Sequence, residues 1–124
     1  MDECPFCVCP ADRVVDANSL AYVVEDAFPV SPGHTLVIPR RHIESVFDLW
    51  PDETNAILEL LGRAKARLDH FCSPAGFNIG VNIGRAAGQT VMHAHVHLIP
   101  RFTGDVHDPE GGVRNVIPGM GSYS

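Results

Sequence analysis

The stretch that most constrains this chain is Gln89-Thr90-Val91-Met92-His93-Ala94-His95-Val96-His97-Leu98-Ile99-Pro100. Three of the protein's seven histidines fall within it, at every second position. Residues i, i+2 and i+4 share one face of a β-strand, whereas a helix would scatter them around its circumference. The pattern predicts a strand with His93, His95 and His97 in a row on one side and Ala94, Val96 and Leu98 on the other. A row of imidazoles has three readings. It is a solvated, histidine-rich strand face, or a metal site built from two or three of the rings. Alternatively one imidazole is a nucleophile or general base, and its neighbours hold its tautomer and its substrate.

The remaining composition narrows the choice. At 124 residues, 45% hydrophobic and 19% charged, the chain has the size and balance of a single domain, 1–124. Its net charge is −6, with Lys65 the one lysine among nine basic residues. Duplex-DNA binding normally uses a basic face, so no nucleic-acid partner is expected. A small phosphorylated ligand needs only a few local donors and remains open. No N-terminal run resembles a signal peptide and no apolar run is long enough for a bilayer, which predicts a cytoplasmic protein without a membrane partner. In that compartment the close-set Cys4-Pro5-Phe6-Cys7-Val8-Cys9 reads as metal ligands or redox groups before it reads as a structural disulfide. The spacing Cys4-x-x-Cys7 suits two thiolates on one zinc, and equally a redox pair.

Residues 14–15 and 20–24, separated by a polar turn, predict a β-hairpin closed by Glu25 and Asp26. Asp26 is at that point as good a turn residue as a ligand residue. A loop with Pro29, Pro32 and Gly33 leads into a short strand at 35–38, and 43–49 predicts a short helical turn. After Pro51 the apolar residues Ile57, Leu61, Ala64, Leu68 and Phe71 step by four and three, the stripe of a core-facing helix. Pro51, Asp52 and Glu53 suit its start, and Arg63, Lys65 and Arg67 its later turns. Cys72 reads as a buried thiol. Residues 77–83 alternate large apolar side chains with Asn and Gly and predict a strand. A loop at 84–88 should pair it antiparallel with the histidine strand. The tail, 102–124, reads as irregular.

These blocks together resemble the histidine-triad (HIT) family of nucleotide hydrolases and transferases. The resemblance lies in His93-Ala94-His95-Val96-His97-Leu98-Ile99 and the approach segment Ala87-Gly88-Gln89-Thr90-Val91. It also lies in Pro32-Gly33-His34-Thr35-Leu36-Val37-Ile38-Pro39-Arg40-Arg41-His42, and it covers residues 4–101. It implies an α+β fold, an antiparallel sheet of about five strands with one long and one short helix, assembled as a homodimer. It further implies that His95 attacks the α-phosphorus of a nucleotide, that His97 contacts the phosphate, and that His34 buttresses the triad. Asp26 would meet the ribose, and Phe28 would shape or cover the base pocket. Asn82, Gly88, Gln89 and Thr90 would line the phosphate side. Microbial members of the family carry zinc on positions that match Cys4, Cys7, His42 and His93, with Cys9 as a substitute ligand. Two thiolates and two imidazoles would close a tetrahedral structural zinc site with no open position.

The sequence departs from the family pattern in two places. Asp26-Ala27-Phe28-Pro29 replaces the aliphatic residue that often follows the acidic position. The tail also lacks the tryptophan of phosphoramidase-like members, and it looks like tails of bacterial proteins grouped as diadenosine polyphosphate hydrolases. The expected function is hydrolysis or transfer at the α-phosphate of dinucleoside polyphosphates or nucleoside phosphoramidates, through a nucleotidyl-histidine intermediate. The rival is a nucleotide-binding or scaffold protein with incidental activity. A third reading makes the triad itself a catalytic metal site.

Overall fold

Asn18 makes the first reversal of the chain. Its Oδ1 accepts hydrogen bonds from the backbone N–H of Leu20 and Ala21 at 3.1 and 2.9 Å. The flanking strands, β1 (Val14–Ala17) and β2 (Ala21–Glu25), pair antiparallel as the hairpin pattern predicted. β3 (Thr35–Pro39), a long helix α1 (Pro51–Phe71), β4 (Gly76–Gly80) and β5 (Val96–Arg101) follow. The five strands form one antiparallel sheet in the order β1-β2-β3-β5-β4. This computed structural model describes residues 3–123. Met1, Asp2 and Ser124 of the expected 1–124 domain lie outside the described residues. Among the described residues no helix is long and apolar enough to cross a membrane.

Alternation along the strands divides the core into two. Ala21, Val23, Val37, Val96 and Leu98 turn towards α1 and meet Ala56, Ile57, Leu60, Ala64 and Leu68. Tyr22, Val24, Leu36 and Ile38 point to the opposite face, where Phe6 and Cys9 of the N-terminal arm cover them. Each buried aliphatic side chain stabilises the fold by about 2 kcal/mol. His97 lies between Val96 and Leu98 and opposite Leu36, so it projects from the face that α1 does not cover.

The structure corrects four expectations. The helix stripe is Ala56, Ile57, Leu60, Ala64 and Leu68; Leu61 is only half-buried and Phe71 is 72% exposed. Phe71, the last residue of the helix, lies at the rim of an open cleft that it shares with Val15, Val23 and Thr35, and the strands there do not close over it. The short helix expected over 43–49 is a single 3₁₀ turn at Val46–Asp48, capped by the Ser45 hydroxyl. β4 stops at Gly80, so Asn82 is not in a strand. β5 starts only at Val96, which leaves His93 and His95 in an extended lead-in. The reason for the late start lies in the neighbour. β3 ends at Pro39, which has no N–H, and Arg40 donates its N–H to Leu20 instead. Ala94 therefore donates to the Ile43 carbonyl at 2.6 Å, outside any regular ladder.

Two devices link this frame to the histidines. Glu53, buried in the first turn of α1, accepts from the Trp50 N–H at 2.8 Å and from Arg41 at 2.8 and 3.1 Å. The Arg41 guanidinium holds its carboxyl below the usual carboxylate range. The start of the helix is thereby tied to the residue next to His42. The second device is the turn Ser31-Pro32-Gly33-His34, closed by the His34 N–H to the Ser31 carbonyl at 3.1 Å. Pro at the second position and a left-handed residue at the third are the requirements of a type II turn, and Gly33 has φ +87°. A Cβ there would lie 2.7 Å from Leu68 Cδ2 and 3.3 Å from Pro100 Cγ. Gly33→Ala should therefore destabilise the protein by about 2 kcal/mol in denaturant unfolding, from backbone strain and this clash together.

Candidate functional site

A neutral imidazole has one N–H and one bare nitrogen, so a partner at either nitrogen assigns the other. In His95 the Nδ1 lies 2.8 Å from the His93 carbonyl, which can only accept. Nδ1 therefore carries the hydrogen and Nε2 is bare. The ring is 9% exposed. Phe6 meets it edge-on at 5.0 Å, and His97 lies across from it at 5.1 Å.

The same reasoning runs along the neighbouring pair. The Val30 N–H donates to His34 Nδ1 at 3.1 Å, so the hydrogen of neutral His34 is on Nε2. That N–H donates to His97 Nδ1 at 2.9 Å. His97 then carries its hydrogen on Nε2, and this atom is buried with no hydrogen-bond partner among the described residues. A buried N–H without a partner costs free energy until an acceptor arrives. Asp26 stands behind the pair, its Oδ2 3.4 Å from His34 Nε2 and 4.0 Å from His97 Nδ1. Burial is the main cause that holds both imidazoles below the usual histidine range; Asp26 opposes it in each.

His93 faces the other way. Its Nε2–H donates to the Pro39 carbonyl at 2.7 Å, which leaves Nδ1 bare. That atom lies 3.4 Å from Cys4 Sγ, 3.6 Å from Cys7 Sγ and 3.2 Å from His42 Nδ1. Cys7 Sγ is 3.2 Å from His42 Nδ1. Bond lengths to zinc put tetrahedral ligands about 3.4 Å apart for two nitrogens and about 3.6 Å apart for nitrogen and sulfur. The four side chains could hold a metal ion without rearrangement. The carbonyl on the far nitrogen of His93 is the kind of support that metal-bound histidines normally have. Cys9 is not in this group; its thiol turns to the Pro10 carbonyl.

The remaining expected residues fall in three places. Asp26 acts partly as a turn residue, since its Oδ1 accepts from the Phe28 N–H at 2.8 Å. Phe28 itself is 86% exposed. Beside them, Asp26, Val30, Ser31 and His34 help to line a cleft of about 420 Å³, within the usual size of a small-molecule site. Gln89 is buried and its amide is fully engaged with backbone. It accepts from the Gly84 N–H and donates to the Glu44 and Val91 carbonyls. It holds the loop, and its amide does not face outward. Asn82, Gly88 and Thr90 are exposed along the connection from β4 to the histidines. Phe6 was not singled out from the sequence, although its place inside Cys4-x-x-Cys7 was the available signal.

The HIT domain model matches residues 10–104. The chain belongs to the HIT family. This HIT chain is 35% identical over 95 residues to an AP-4-A phosphorylase of Mycobacterium tuberculosis, across 76% of its own length and 49% of that relative's. It thus spans about half of that protein. It is 34% identical over 101 residues to a bifunctional bis(5'-adenosyl)-triphosphatase/adenylylsulfatase of Arabidopsis thaliana, covering 82% of this chain and 56% of the other. Among solved structures it superposes on a zinc-bound histidine triad family protein from Mycobacterium smegmatis with a TM-score of 0.74 at 32% identity. That match covers 83% of this chain and 78% of that one. The five-stranded antiparallel sheet with one main helix is the fold of these HIT proteins.

The buried neutral pair gives a pH expectation with a definite sign. His34 and His97 titrate lower in the folded protein than in the unfolded chain. The unfolded chain therefore takes up protons first as pH falls through about 6.5. Their contribution to stability is complete above that pH and is lost towards acid. Unfolding free energy measured between about pH 7 and about pH 5 should fall less steeply in His97→Gln than in the native protein.

Proposed function

We propose that the protein transfers a nucleoside monophosphate group to water through a covalent intermediate on His95. Dinucleoside polyphosphates or nucleoside phosphoramidates are the substrates. The observation that carries this reading is the bare Nε2 of His95, assigned by the Nδ1–H bond to the His93 carbonyl. A neutral imidazole nitrogen is a competent nucleophile near neutral pH. In the first step the Nε2–P bond forms and the bond from α-phosphorus to the leaving group breaks. The N–H of His97, otherwise without a partner, donates to a phosphate oxygen as charge builds there. His34 holds His97 in the tautomer that makes this possible. Water then cleaves the nucleotidyl-imidazole and frees the nucleoside monophosphate and His95.

The cleft beside Asp26 and His34 is where we place the nucleoside, with Asp26 near the ribose and Phe28, which precedes the lining residue Pro29, assigned to the base. Asn82, Gly88 and Thr90 are assigned to the phosphate side. The relatives that act on adenosine-containing polyphosphates support this substrate class. As in the family it resembles, the protein is taken to be a cytoplasmic homodimer. β4 offers a free sheet edge for that contact, with Ile79 54% exposed on it. His95→Ala should abolish turnover of diadenosine polyphosphates and adenosine phosphoramidate while AMP binding, measured by calorimetry, stays within about tenfold. Undiminished turnover would refute the mechanism.

Cys4, Cys7, His42 and His93 are assigned to a structural zinc ion. All four positions would be filled by protein, so the ion would add stability to the N-terminal arm and would not bind substrate. Cys7→Ser should lower the zinc content from about one per chain towards zero by elemental analysis. It should also lower the melting temperature. Full zinc content in that variant would point to another ligand set.

A further inference from the structure

Phe6 occupies the middle of the turn that Cys4 and Cys7 close, where the N–H groups of Cys7 and Val8 both donate to the Cys4 carbonyl. Both flanking thiols converge on His93. The Phe6 carbonyl accepts a 2.5 Å hydrogen bond from the Tyr22 hydroxyl, which rises from β2 on the face away from α1. The residue is held on both sides and from below. Its ring meets His93 edge-on at 5.9 Å and 86°, and His95 at 5.0 Å and 70°. Among the described residues the second ring against His95 is that of His97, at 5.1 Å and 60°.

Among the described residues the directional contacts on His95 are one hydrogen bond to the His93 carbonyl and two ring edges. A single neutral hydrogen bond is a weak lock, and an imidazole that turns over exchanges nitrogen for carbon at the attacking position. Resting on the reading of His95 as nucleophile, we propose that Phe6 is a positioning residue for it. The Cys4–Cys7 turn, whether or not it carries a metal ion, presses the Phe6 ring against the imidazole and keeps Nε2 aimed outward. The N-terminal arm is in this way coupled to the attacking atom without touching substrate.

Phe6→Leu keeps apolar bulk and removes the aromatic edge; Phe6→Tyr keeps the edge. The leucine variant should retain wild-type zinc content and melting temperature. Its kcat for diadenosine polyphosphates should fall about tenfold to a hundredfold, the scale of a slightly misplaced reacting group, with KM close to wild type. The tyrosine variant should recover most of kcat. Nitrogen-15 NMR of the imidazoles should show one His95 tautomer in the wild type and in Phe6→Tyr, and exchange between two in Phe6→Leu. Wild-type kcat with one tautomer in Phe6→Leu overturns the proposal. So does loss of zinc in step with loss of activity, since Phe6 would then only shape the metal loop. If the wild-type protein turns over none of these nucleotides, the nucleophile reading fails. The tautomer measurement then still decides the role of Phe6.

Discussion

The one-donor, one-acceptor character of a neutral imidazole is the constraint on which the site depends. Four of the seven histidines are assigned by it. The Pro39 carbonyl sets His93, the His93 carbonyl sets His95, the Val30 N–H sets His34, and His34 sets His97. Three of those four partners are backbone groups, so the tautomers follow from the fold itself. The result is three differently directed nitrogens from one run of sequence. A bare nitrogen of His93 faces two thiols, a bare nitrogen of His95 faces none, and His97 presents an N–H without a partner among the described residues.

For such a network to work, its backbone must not move. The anchors come from packing at a distance. Leu68 and Pro100 leave no room for a side chain at Gly33, whose left-handed conformation turns the chain into His34. Glu53, at the start of α1, grips Arg41 beside His42. Gln89 closes the loop that leads to His93, and its amide also holds the Glu44 carbonyl in the segment after His42. The helix side of the sheet thus carries no site residue yet fixes the positions of several.

Local patterns were the legible part of the sequence. Alternation placed Val96 and Leu98 on one face and His97 on the other, and the loop at 28–34 marked a real reversal; the turn expected at 16–19 begins only at Asn18, because Asp16 and Ala17 belong to β1. The start of β5 was not legible, because it depends on which groups the neighbouring β3 can offer. Pro39 is fifty-seven positions away from Val96 in sequence. Phe71 continued a correct period but stands mostly exposed at the rim of a cleft beside Val15, Val23 and Thr35. Gln89 carried the right polarity for a ligand contact, but its burial and its three backbone partners are tertiary facts. The metal-like group is the opposite case: Cys4, Cys7, His42 and His93 are far apart in sequence and converge as the resemblance implied.

The charge around the imidazoles bears on what the proposed chemistry can be. Among the described residues the hydrogen-bond and ring partners of His34, His95 and His97 are Val30, His93, Phe6 and one another, with Asp26 the one acidic group within 4.0 Å of their nitrogens. No lysine or arginine is among them. A bound phosphate would be met by neutral N–H donors, which favour the anionic ground state less than a guanidinium would. The same donors act most strongly where negative charge develops during transfer, because the fold already holds them in place. A protonated His34 or His97 would attract phosphate more strongly in the ground state, but the added proton would fill an acceptor nitrogen: Nδ1 of His34, which takes the Val30 N–H, or Nδ1 of His97, which takes the His34 N–H. Burial therefore does more than hold these pKa values down. It keeps the pair in the one protonation state in which each ring passes orientation to the next.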